Sequence, residues 1–200
     1  MVLGTEIMNV PIIGQFPELP TGCEATALTM MLVWACISVT KEDVATRLPK
    51  QPIPYTKDGV MYGGNPDDAF LGDPFTNNGY GVFHSVLAKL LDSYMPGNSL
   101  DMSGGSFNNV TGAIDNGSPV VVIISNRLDE PRISHQWVNI NQGGPTIINW
   151  LIPEHSVLVV GYTETTIIIN DPATGTRREL DRELFKTRWE QMGRQAVAIK

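Results

Sequence analysis

PEHSVLVVGYTETTIIINDP, residues 153–172, decides how this chain folds. Two β-branched runs, SVLVVGY (156–162) and TTIIIND (165–171), flank a short polar break at Thr163–Glu164. Runs of this length and composition read as strands, and so short a break reads as an antiparallel hairpin. A turn at Thr163–Glu164 fixes the register and brings His155 opposite Asp171, or within one residue of it. An imidazole beside a carboxylate at one end of a sheet is a base with its orienting group. Such a pair lacks only a nucleophile.

Outward from the hairpin, PVVVIIS (119–125), a stretch around WVNI and the closing QAVAIK also have strand character. The first half reads differently. From Gly22 to about Val39 the apolar residues Ala27, Met30, Met31, Trp34 and Ile37 recur at helical spacing. Thr40 caps a short helix, KEDVATRL, with Asp43 at its third position, and Pro49 stops it. Gly81 to Met95 presents one apolar face, Phe107 to Gly117 a shorter helix, and Glu183 to Met192 a last one. Residues 7–13 read as extended. Residues 49–79 are dense in turn signals (GGNPDD, GDP, TNNG) and read as a long ordered loop that shapes specificity. Helices first and strands later argue for an α+β fold rather than alternating βαβ units.

At 200 residues, with no repeat, linker or low-complexity tract, the chain reads as a single domain over 1–200. Its 21 acidic against 14 basic residues give a net charge of −7. That surface repels phosphate backbones and anionic lipid, which argues against nucleic-acid and membrane-surface partners. No apolar run reaches the ~18 residues of a membrane span. No signal peptide is visible in MVLGTEIMNVPIIGQ, so the chain as written reads as cytoplasmic. A mature secreted or surface domain freed of its leader reads the same way.

Only two cysteines occur, Cys23 and Cys36. On one helix they stand ~20 Å apart, beyond the ~7 Å that a disulfide spans. Both are expected as free thiols, with Cys36 a structural residue on an apolar helix face. Cys23 follows Gly22 and opens the helix, where free amides and the helix dipole stabilise a thiolate. Cys23, His155 and Asp171 therefore form a Cys-His-Asp triad by role. His155 lies 132 residues and Asp171 148 residues after the cysteine, within the ~130–150 of papain-type order. An oxyanion hole needs the Cys23 amide and one side-chain donor, for which Gln15 is the best candidate.

The remaining polar clusters invite plainer readings. Glu24 suits the first turn of a helix on dipole grounds and reads as structural. Asp67, Asp68 and Asp73 lack the D-x-[DN]-x-[DN]-G spacing of a calcium loop and read as solvated turn acids. Neither His84 nor His135 has a ligand partner at metal spacing, so no metal or cofactor is expected.

With these residues placed, the sequence resembles the bacteriocin-processing (double-glycine leader) cysteine peptidase-like family of the papain-like superfamily. The resemblance rests on QFPELPTGCEATALTMML, GDPFTNNGYGVF, PEHSVLVVGY, INDPATGTRRE and WEQMGRQAV, and covers about residues 7–199. It implies a papain-like fold, N-terminal helices carrying the nucleophile against an antiparallel sheet carrying histidine and aspartate. It also implies Cys23 as nucleophile, His155 as base, Asp171 as orienting acid and Gln15 in the oxyanion hole. The chain departs from the C-G-[SA]-C-[WY] signature of papain and cathepsin sequences. It shows neither membrane spans nor the G-x-x-x-x-G-K-[ST] loop of the transporter-linked members, so their leader-peptide substrate does not carry over.

The expected activity is thiol-dependent hydrolysis of peptide or protein amide bonds. Two rivals share the scaffold. A transglutaminase-like acyl transferase would use the same triad with an amine acceptor. A non-catalytic peptide-binding module would keep the fold without turnover. Oligomeric state and bond specificity are outside what the residues encode.

Overall fold

The computed structural model describes residues 4–200. Its first half carries the helices, as the periodicity predicts, but short strands run between them. β1 (Thr5–Glu6) precedes α1 (Cys23–Trp34) and α2 (Lys41–Arg47). Then come β2 (Lys50–Gln51), β3 (Tyr55–Lys57), β4 (Val60–Gly63), β5 (Phe70–Gly72) and β6 (Gly79–Gly81), where the turn signals predict only loop. α3 (His84–Tyr94), β7 (Ser99–Asp101) and α4 (Phe107–Asp115) complete this half. The second half runs β8 (Val120–Ser125), β9 (Arg132–Asn139), β10 (Ile147–Ile152), β11 (Glu154–Tyr162), β12 (Thr166–Asp171), β13 (Thr176–Asp181), α5 (Arg182–Gln191) and β14 (Ala196–Ile199).

The strands between 50 and 81 have both distant and near partners. β2 pairs in parallel with β5, and β4 in parallel with β9. Parallel ladders leave no local hairpin signature, but β3 and β4 pair antiparallel around Asp58-Gly59, a two-residue hairpin signal that stands within the stretch reading as loop. The principal sheet is antiparallel in the order β13-β12-β11-β8-β14-β7, with β1 also on β11. A four-stranded sheet, β10-β9-β4-β3, and a three-stranded one, β2-β5-β6, stand apart from it.

α1 is the structural pivot. Every residue from Cys23 to Leu32 is buried, so this helix has no solvent face and packs on the principal sheet as a core element. It is shorter than the sequence periodicity predicts. Cys36 adopts φ +64 just after the C-cap, Ala35, and ends exposed, not on a buried apolar face. α2 follows the sequence closely: Thr40 accepts from the Asp43 amide, and Asp43 bonds back to Thr40 in a capping box.

Two apolar clusters hold the molecule. The larger unites all five helices with the principal sheet, and the smaller groups Leu71, Trp137, Ile148 and Trp150 under the four-stranded sheet. Among the described residues no helix is long and apolar enough to cross a membrane. This is a mixed fold with helix and antiparallel sheet in the expected papain-like arrangement.

Candidate active site

Cys23 is the first residue of α1, and no carbonyl one turn back is available to its amide within the helix. Gly22 precedes it because a Cβ there would lie 2.7 Å from the Leu19 Cβ. The Cys23 thiol is buried and donates to Glu24 Oε2 at 3.3 Å. Burial, and next the charges of Glu24 and Glu154, push its pKa well above the usual thiol range; the Ser156 amide pulls weakly the other way. This differs from the lowered value expected of a helix N-terminus. Two carboxyl neighbours and removal from water outweigh the dipole in this resting arrangement.

His155 and Asp171 come from the hairpin, with a corrected register. The turn is centred one residue later than expected, and a bulge falls at Val160, so Val159 faces Ile169 and Leu158 faces Asn170. His155 is thus diagonal to Asp171 rather than opposite it, still on one face and within reach of long side chains. His155 Nε2 lies 2.8 Å from Asp171 Oδ1, with both residues buried. Asp171 Oδ1 also accepts from the Ala173 amide at 2.9 Å, and Oδ2 accepts from Arg178 Nη1 at 2.7 Å. Burial alone would raise the Asp171 carboxyl. His155, Arg178 and the Ala173 amide together hold it far below the usual carboxylate range. An ionised Asp171 requires Nε2 to carry the proton of a neutral imidazole, which leaves Nδ1 as the basic nitrogen. Nδ1 has no hydrogen-bond partner among the described residues.

Cys23, His155 and Gln15 line one cleft of about 410 Å³, together with Glu154, Tyr80 and Trp150. Gln15 is buried and lines the same cleft as Cys23. Its Nε2 donates to the Leu19 and Pro20 carbonyls, each at 3.1 Å, while its Oε1 is buried without a partner. The aromatic wall is stacked: Phe83 lies parallel to Trp150 with centroids 5.7 Å apart, and Tyr80 meets Trp150 edge-on at 5.4 Å.

Three residues of this site were not singled out for it by the sequence. Arg178 sits on β13, where Ile169 is its direct partner, so it reaches Asp171 diagonally. Nothing local distinguishes it from Arg177, which turns instead to Asn170 and Glu6. Glu154 stands one residue before His155 and has Oε1 buried and unpartnered. Glu24 is no solvated first-turn acid: it is fully buried, and Oε1 accepts from the Val82 amide at 2.8 Å. Burial raises its carboxyl to about 7. Ligating atoms of Cys23, Glu24 and Glu154 lie within 4.8 Å of one another. A thiophilic cation could be held there, but it would occupy the sulfur.

A family model described as the Peptidase_C39 like family matches residues 7–197. The uncharacterized protein YvpB of Bacillus subtilis (strain 168) is 35% identical over 184 residues, spanning 92% of this chain and 71% of that protein. The crystal structure of a candidate C39-like peptidase from Bacillus anthracis superposes with a TM-score of 0.86 at 34% identity. That match covers 99% of this chain and 98% of the other.

Proposed function

The chain belongs to the Peptidase_C39 like family, and from that premise we propose that it is a cysteine peptidase in which Cys23, His155 and Asp171 act as a triad on peptide amide bonds. The observation that carries the reading is the buried His155–Asp171 pair, with His155 lining the same cleft as Cys23.

In the resting arrangement the thiol proton points to Glu24. Attack begins when that proton passes to His155 Nδ1 and the thiolate adds to the amide carbonyl. The Cys23 amide faces the developing oxyanion, and Gln15 joins it by releasing one of its two carbonyl contacts. The imidazolium then protonates the leaving amine, and the C–N bond breaks. Water, deprotonated by the same nitrogen, hydrolyses the thioester and restores the thiol. Throughout, Asp171 is fixed by Arg178 and the Ala173 amide, so the imidazole can neither rotate nor change tautomer.

Cys36 provides an internal reference, being an exposed free thiol. Cleavage of a peptide library, read by mass spectrometry, is expected for the wild type and for Cys36→Ala, and iodoacetamide modification of Cys23 should stop it. Cys23→Ala and His155→Ala should each abolish cleavage. Cleavage that survives either substitution would sink the triad, and peptide binding with no thiol-dependent cleavage would favour a binding module.

A further inference from the structure

Beyond the His155–Asp171 pair the cleft continues into a second cavity of about 720 Å³, and the two share Phe16, Asn126 and Ala173. The cationic side chains lining this cavity are Arg127 and Arg178. Arg178 spends Nη1 on Asp171 and is about one-third exposed. Arg127 is exposed and forms no hydrogen bond or ion pair among the described residues, although Asp129 and Glu130 follow closely in sequence. Its backbone is held at φ +58, and Leu128 at φ +60. Two successive non-glycine residues in the left-handed region cost about 1 kcal/mol or more each, so the turn carrying Arg127 is set by its surroundings rather than by preference.

The cavity's only carboxylate is Asp171, already engaged by His155, Arg178 and the Ala173 amide. Its unsatisfied potential is therefore positive, in a chain whose net charge is −7. A local field opposite to the global one selects an anion for that spot. Guanidinium forks match a carboxylate in shape as well as charge.

Its position says which part of a substrate could bring that anion. If His155 protonates the leaving amine, as proposed above, the departing fragment lies on the His155 side of the cleft. The second cavity opens on that side. We infer that the cavity between Arg127 and Arg178 binds a carboxylate of the leaving fragment, whether an Asp or Glu side chain or the fragment's own C-terminus. This inference rests on the peptidase reading for its direction, but not for the existence of the anion site.

The test is binding to full-length Cys23→Ala protein, which needs no turnover. Three pools of N-acetylated hexapeptides are titrated calorimetrically. The first is neutral and C-terminally amidated; the second carries one Glu among its last three residues and is amidated; the third is neutral with a free C-terminus. At least one charged pool should bind about tenfold more tightly than the neutral pool, and which one does so identifies the source. Arg127→Asn, which keeps a residue tolerant of positive φ, should erase that preference without changing binding of the neutral pool. Charged pools bound no better than the neutral one, or a preference that survives Arg127→Asn, would overturn the inference. Wild-type turnover of the same pools separates the two ideas. Cleavage without charge preference refutes the anion site alone, whereas preference in binding with no thiol-dependent cleavage refutes the peptidase alone.

Discussion

Cys23 is surrounded by more negative character than a thiolate nucleophile tolerates at rest. Glu24 accepts the thiol's hydrogen bond, Glu154 stands close by, and burial lifts the Glu24 carboxyl to about 7. The sign of the resulting pH dependence can be worked out. Above about 7 the Glu24 charge opposes ionisation of the sulfur; below it, a neutral carboxyl removes that opposition. The labelling rate of Cys23 relative to Cys36 should therefore rise as pH falls from 8 to 6. Glu24→Gln keeps an oxygen for the Val82 amide and deletes the charge, so it should speed Cys23 labelling at pH 7 by roughly tenfold, one pKa unit's worth. Mass-spectrometric rates compared at one pH decide the matter, and an unchanged or slower Cys23 would show that Glu24 does not restrain it. The unpartnered Glu154 Oε1 belongs to the same balance, since an unpaired buried acceptor costs about 1–3 kcal/mol.

Among the elements, β6 bears on the site most directly. Gly81 sits at φ +147, and a Cβ there would lie 2.5 Å from Glu24 Oε1, 3.1 Å from Trp150 and 3.4 Å from Glu154 Oε2. The strand thus holds both carboxyls and the aromatic wall against the start of α1. Gly81→Ala is expected to cost about 1–3 kcal/mol in urea unfolding, from backbone strain and displaced carboxyls together. Gly97→Ala is a fair control: φ +79, with open space where the Cβ would go. It should cost about 1 kcal/mol from conformation alone. Equal losses at the two glycines would mean that the contacts at Gly81 contribute nothing. The β11–β12 hairpin shows how much an element tolerates: its register differs from the expected one by two positions, yet His155 and Asp171 still meet.

For the molecule as a whole, two opposed linkages bound the pH of greatest stability. Asp171 titrates far lower in the folded state than its ordinary 3.8, so its contribution is present above that value and lost as pH falls below it. Asp43, Asp73 and Asp101 share that direction, as does Glu18. Glu24 behaves oppositely: raised from 4.5 to about 7, it favours the fold fully below 4.5 and loses that contribution as pH rises through about 7. Glu154 is raised too. Thermal unfolding followed by circular dichroism should give the highest Tm between about pH 4 and 5. Glu24→Gln should flatten the decline above that range. A wild-type Tm that rises steadily from pH 5 to 8 would refute the assignment.

What the sequence determined by itself is everything carried by local pattern. The β-branched runs of the hairpin, the helical spacing from Gly22 onward and the Thr40–Asp43 capping box each specify their element without help from distant residues. Their order fixes the α+β class, and Cys23, His155 and Asp171 were legible as candidates because each stands at or next to the end of such an element, while Gln15 was named only by its place upstream of the cysteine. Only the tertiary structure decided the rest. β2 and β4 form parallel ladders with β5 and β9, which no neighbouring residue announces, whereas β3 and β4 meet at Asp58-Gly59, a hairpin signal inside the stretch that reads as loop. The exposure of Cys36 follows from where α1 stops, and the choice of Arg178 over Arg177 from which face of β13 meets Asp171. The height of the Cys23 pKa depends on burial and on Glu154, which stands on another element. Charge and desolvation act through space, and a sequence records only neighbours along the chain.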